Sequence, residues 1–137
     1  KNFNRDNEIQ LLANTFETGW IENKGNFKFE FHPLPSPAQW SPVYGIVVND
    51  YNSDGNADII LSGNEFGMHP YLGRYDAGNG LFLRGDGKGN FQPLPILESG
   101  IFIPGNAKLL IQFPFGNSIA FAASQNNSGL RLFELKK

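Results

Sequence analysis

The chain has no cysteine, which excludes disulfides and thiolate metal sites and leaves the redox compartment open. It has no run of eighteen apolar residues, so no membrane-spanning helix is predicted. It has no basic cluster and a net charge of −2, so neither nucleic acid nor an anionic membrane is favoured as a partner. The opening residues, KNFNRDNEIQLL, are polar and then strand-like, without the pattern of a signal peptide. Catalytic signatures are missing too. There is no Gly-x-Ser-x-Gly, no His-Glu-x-x-His and no phosphate loop. The two histidines, His32 and His69, lack Cys, His or acid neighbours at metal-ligand spacing and are read as structural or solvated. No catalytic residue is assigned, and the chain is not read as an enzyme.

What is present is material for many turns around one core. Sixteen Gly and nine Pro accompany thirteen Phe in 137 residues, a length that suits one domain. Short strand patterns dominate. They are Glu8–Phe16, GWIEN, FKFEF, VYGIVVND, DIILSGN, LFLRG, FQPLPIL, AKLLIQF, SIAFAAS and LRLFEL. HPLPSPAQWSP is too rich in proline to be other than a connection. Lys24-Gly25-Asn26 and Asp86–Asn90 read as turns, and 65–80 as a long irregular segment. Spacing alone leaves a generic sandwich or barrel open.

Internal repetition narrows the reading. KGNFKFEFHPLP at 24–35 returns as KGNFQPLP at 88–95. GIVVNDYNSDGNADIILSGN at 45–64 has a counterpart in AKLLIQFPFGNSIAFAASQN at 107–126. The period is about sixty residues, with four strands per unit. Such four-stranded antiparallel units are β-propeller blades. The predicted fold is all-β, an incomplete propeller. Residues 1–37 are a partial blade and 38–97 a complete blade carrying an acidic loop. Residues 98–137 are a last blade with that loop degenerate.

The acidic loop holds the clearest candidate chemistry. Asp50, Asn52, Asp54 and Asp58 stand at positions 1, 3, 5 and 9. Gly55 takes the sharp turn at position 6, and the Asn56 carbonyl stands at position 7. Oxygen ligands at this spacing suit Ca²⁺, whose charge relieves carboxylate repulsion. Leu61 at position 12 and flanking strands exclude an EF-hand. The competing reading is an Asx-rich turn without metal. In the last unit FPFGNS, 113–118, keeps Gly116-Asn117 but no carboxylate, so one Ca²⁺ site is expected rather than two. Segment 65–80 carries Phe66, Met68, His69, Tyr71, Arg74, Tyr75 and Asp76. These residues form a candidate ligand-binding loop for a carbohydrate or protein, or else pin a long loop against the blade.

The D-x-N-x-D-G-N-x-D loop between GIVVN and IILSGN resembles the FG-GAP and VCBS repeats of integrin-like propellers. GNEFGMHPYLGRYDAGNGLFLRGDGKGNFQPLP with SGIFIPGNAKLL resembles the last blades of bacterial FG-GAP-like proteins. The resemblance covers nearly the whole chain, best over 44–110. It implies Ca²⁺ held by Asp50, Asn52, Asp54, Asn56 and Asp58. It also implies a secreted, periplasmic or surface-attached parent, of which this chain is the C-terminal piece. The function so implied is a calcium-stabilised binding or scaffold module for a glycan or protein. The alternative is a portion of a larger propeller enzyme acting on polysaccharide, its catalytic residues on other blades. Fewer than three blades cannot close a ring, so the isolated chain is expected to self-associate through its open edges.

Overall fold

The computed structural model describes residue 9 and residues 11–135. Among these residues nine strands form three antiparallel sheets, none of them closed, and helix is confined to two four-residue turns. The first sheet pairs β1 (Gly19–Gly25) with β2 (Lys28–Pro33). A 3₁₀ turn at Ser36–Gln39 leads to the second sheet. This sheet contains β3 (Val43–Asn49), β4 (Asp58–Gly63), β5 (Leu81–Gly85) and β6 (Phe91–Leu94), in that spatial order. A helical turn, α1 (Ile96–Ser99), precedes the third sheet. That sheet contains β7 (Ala107–Phe115), β8 (Ser118–Gln125) and β9 (Arg131–Leu135).

Strand β4 explains the arrangement. All six of its residues are buried, as its unbroken Asp-Ile-Ile-Leu-Ser-Gly run anticipates for a strand covered on both faces. Successive side chains alternate between faces. Ile60 enters one core with Val47, Phe82, Leu110 and Phe121, which lies against the third sheet. Ile59 and Leu61 enter another with Leu34, Ala38 and Leu83, with Trp20 of the first sheet packed on it. The register keeps this division across strands, because Ile60 faces Phe82 and Ile59 faces Leu83. The middle sheet is therefore the filling between the other two. Gly45 permits the close approach, since a Cβ there would stand 2.6 Å from the Leu110 backbone nitrogen.

Three sequence expectations differ from the structure. Glu8 and Gln10 lie outside the described residues, and 11–16 form no strand. Leu11, Leu12 and Phe16 are exposed, and no strand among the described residues pairs with this stretch. FQPLPIL is a strand only to Leu94. After Pro95 the chain turns helically over Ile96–Ser99 and stops at Gly100, whose φ of 68° is left-handed. In 98–137 the three strand patterns AKLLIQF, SIAFAAS and LRLFEL all form strands, and the fourth strand of a four-stranded unit is not found among the described residues.

Candidate functional site

The acidic loop joins β3 to β4 at the end of the middle sheet where β5 also turns into β6. Its backbone is fixed by its own carboxylates. Asp50 Oδ1 accepts the N–H of Asp54 at 3.1 Å, and its Oδ2 that of Gly55 at 2.9 Å. Asn52 Oδ1 accepts the Asp54 N–H at 2.9 Å, while its Nδ2 donates to Asp54 Oδ2 at 2.8 Å. Asp54 Oδ1 accepts the Asn56 N–H at 2.8 Å. The Asn56 N–H first, and the Asn52 amide next, hold the Asp54 carboxyl below its ordinary range. Gly55, at φ 86°, supplies the left-handed step that turns these N–H groups inward.

Asp58 has a different place. It is fully buried, with Oδ2 accepting the Tyr51 N–H at 3.2 Å and Oδ1 the Gly85 N–H at 2.9 Å. It ties the loop back to the end of β5. Tyr51 is the anchor that sequence reading missed. Its ring packs against Phe82 and Phe121, at 5.9 and 5.5 Å between centroids. Its hydroxyl donates to Gln112 on β7. Burial, and then the nearby Asp58 charge, push its pKa up. The signal was a lone aromatic inside an otherwise polar loop, since such a side chain needs a core to enter.

The structure brings the five predicted metal-site residues onto one nine-residue turn but does not converge their three carboxylates. Among the described residues, the only set of three or more acid and histidine ligand atoms gathered within 4.8 Å is that of Glu22, Glu30 and His32 on the first sheet. There Lys24 lies 2.8 Å from Glu22 and 3.2 Å from Glu30, so an ammonium already offsets the acids. His32 also departs from expectation. It has an acid partner, Glu22 at 3.0 Å, and stacks on Trp20 at 4.4 Å. By contrast, no ion pair among the described residues engages Asp50, Asp54 or Asp58.

Comparison with known protein families, curated proteins and solved structures gives no match.

The acidic loop has a neighbour of a different kind in the turn 86–90. Asp86 Oδ1 accepts the N–H groups of Lys88 and Asn90, and Oδ2 the Asn90 amide at 2.7 Å. That single acid is used up in closing a hairpin. The chemistry of the acidic loop does suit a hard cation. Its side-chain donors are oxygens, and a carboxylate with two accepted hydrogen bonds keeps further lone pairs.

Segment 65–80 is pinned at its base. Glu65 and Tyr75 exchange backbone hydrogen bonds at 2.8 and 2.9 Å. Buried Asn64 donates to the Gly78 and Gly105 carbonyls and accepts the Gly78 N–H. Beyond that base the predicted ligand residues separate into two groups. His69 stacks on Tyr71 at 5.1 Å, and Tyr71 is 93% exposed. Arg74 lies over the Phe66 ring at 4.8 Å, and both line a cleft shared with the third sheet. Tyr75 is part of the base, and Asp76 lines neither that cleft nor the apolar one behind Trp40.

Proposed function

We propose that the chain is a calcium-stiffened segment of a β-repeat protein of the FG-GAP and VCBS type. In this reading it is a binding or scaffold module of a secreted or surface protein, with a glycan or a protein as partner. The observation that carries the metal half is one turn holding three carboxylates, none of them in an ion pair with a cationic side chain among the described residues. Asp50, Asp54 and Asp58, with the Asn52 amide and the Asn56 carbonyl, would hold the ion. Bound Ca²⁺ would supply the positive charge that the loop lacks. The repeat half is supported by three successive antiparallel sheets built from consecutive strands. It is also supported by the return of Lys-Gly-Asn-Phe at the β1–β2 and β5–β6 turns. The binding half rests on a long loop presented from a fixed base.

Extracellular calcium modules have dissociation constants of about 10⁻⁴ to 10⁻³ M. A tenfold excess of Ca²⁺ over that constant adds about 1.4 kcal/mol to stability. Millimolar Ca²⁺ is therefore expected to raise the melting temperature by a few degrees over chelator. Asp54→Ala abolishes that response, and Asp86→Ala preserves it. Equal melting in Ca²⁺ and chelator for the wild type makes the loop a carboxylate-braced turn and nothing more. A glycan and peptide array on the whole chain tests the binding half.

A further inference from the structure

A cleft of about 700 Å³ opens where segment 65–80 meets the turn between β8 and β9. Arg74 and Phe66 form one wall, and Asn106, Gln125, Asn127 and Arg131 the other. No Asp or Glu among the described residues lines it, although the chain as a whole carries a net charge of −2. We propose that this cleft binds a carboxylate-bearing oligosaccharide, a chain of uronic-acid type. The inference rests on the binding-module half of the function above and is independent of the calcium half.

Two guanidiniums in no ion pair among the described residues call for an anion, and their planar forks match a carboxylate. The amides call for something more. Side-chain amides both donate and accept, as sugar hydroxyls do. Asn106 is 4% exposed and its Oδ1 is buried, so the lining amides open to a ligand are those of Gln125 and Asn127. Phe66 with Arg74 over its ring makes a flat wall of the kind that stacks on rings. The volume falls within the range of about 300–1,000 Å³ for small-ligand sites. The opposite wall is held in advance. Gln125 Nε2 donates to the Pro104 carbonyl at 2.7 Å, the Asn126 N–H to the Asn106 carbonyl at 3.0 Å, and Asn64 Nδ2 to the Gly105 carbonyl at 2.8 Å. Such fixing lowers the ordering cost of binding. An acidic peptide would satisfy the guanidiniums but brings fewer hydroxyls to the amides.

Calorimetric titration of the whole chain in chelator tests this, with trigalacturonate, maltotriose, hexaglutamate and acetate as probes. Trigalacturonate is expected to bind, with maltotriose, hexaglutamate and acetate far weaker. Arg74→Gln and Arg131→Gln each lower its affinity about tenfold, with the melting temperature unchanged because both side chains are exposed. The proposal is overturned by no binding of trigalacturonate, by binding that ignores both substitutions, or by equal binding of hexaglutamate. If the array finds a partner insensitive to both arginines, the cleft proposal fails and the binding-module reading stands. An empty array removes both.

Discussion

Single residues of this chain work against their surroundings in ways that can be measured. The β1–β2 hairpin closes through Asn26 and Phe27, both at positive φ, 51° and 59°. Asparagine tolerates that conformation, whereas a bulky L-residue is strained by about 1–2 kcal/mol. Phe27 is 98% exposed, so its ring contributes no burial in return. Phe27→Gly is therefore expected to stabilise the chain by about 1 kcal/mol, after the entropy gained by the unfolded glycine is subtracted. Urea unfolding measures it, and a loss of stability would show that the ring has a role in contacts beyond the chain. Asn64 has the opposite character. Three hydrogen bonds converge on a side chain 1% exposed. Asn64→Ala leaves the Gly78 and Gly105 groups unpaired and is expected to cost roughly 2–4 kcal/mol.

Glu65 gives a pH dependence at the same scale. Its Oε2 lies 2.7 Å from Lys108 Nζ and accepts the Tyr44 hydroxyl at 2.9 Å, while Oε1 takes the Gly67 N–H. Lys108 above all holds its pKa down, to about 2 from an ordinary 4.5. A depressed carboxyl contributes stability that is complete above its unfolded pKa and is lost as pH falls through the folded one. The contribution is therefore full above pH 4.5 and declines toward pH 2. Asp54 and Asp86, also held low, act in the same direction. Chemical denaturation at several pH values should show this acid loss, with a shallower slope in Glu65→Gln. An unchanged slope in that variant means the ion pair is absent in solution.

Elements were more legible in the sequence than their partners. β3, β4, β5 and the β7–β8 hairpin follow short apolar runs bounded by Gly, Asn or Asp, and strand geometry then alternates their side chains between faces. The stretch 11–16 also reads as strand yet forms none, because a strand needs a neighbour that its own residues cannot specify. In the acidic loop the spacing identified the turn, and Gly55 identified its sharp point. The division of labour among the acids was hidden, since it depends on Gly85, twenty-seven residues beyond Asp58. Gly85 also shows how tightly the loop sits on β5. A Cβ there would stand 2.1 Å from the Ala57 carbonyl oxygen. Backbone cannot yield as a side-chain tip can, so Gly85→Ala is expected to cost about 2 kcal/mol or more. It should also disturb the Asp58 bond and weaken any Ca²⁺ response in the same melting assay. Wild-type stability in this variant would mean the loop sits further from β5 than the distance implies.

The three sheets cover one another unequally. The first sheet has two strands and the second has four. Ile46 and Val48 on β3 share a face with Leu61 and Ile59, their register partners, yet remain 54% and 52% exposed. The first sheet packs on the core of that face through Trp20, and Leu34 and Ala38 of the connection complete it. None of them buries Ile46 or Val48. At the other end of the stack Ile111, Ala122 and Leu132 lie side by side across the third sheet, on the face opposite Leu110 and Phe121, with Ile111 and Leu132 exposed. Ile21, Phe29 and Phe31 do the same on the outer face of the first sheet. Stacked repeats bury such faces against further repeats, and faces left open favour association. The isolated chain is accordingly expected to self-associate at micromolar concentration in sedimentation velocity, with a weight-average mass that rises with concentration. Ile111→Lys combined with Leu132→Glu should shift it toward monomer without lowering its melting temperature, because both side chains already meet solvent. A wild type that stays monomeric throughout that range would show that these faces are tolerated as free surface, and the stacked-repeat reading would lose its physical motive.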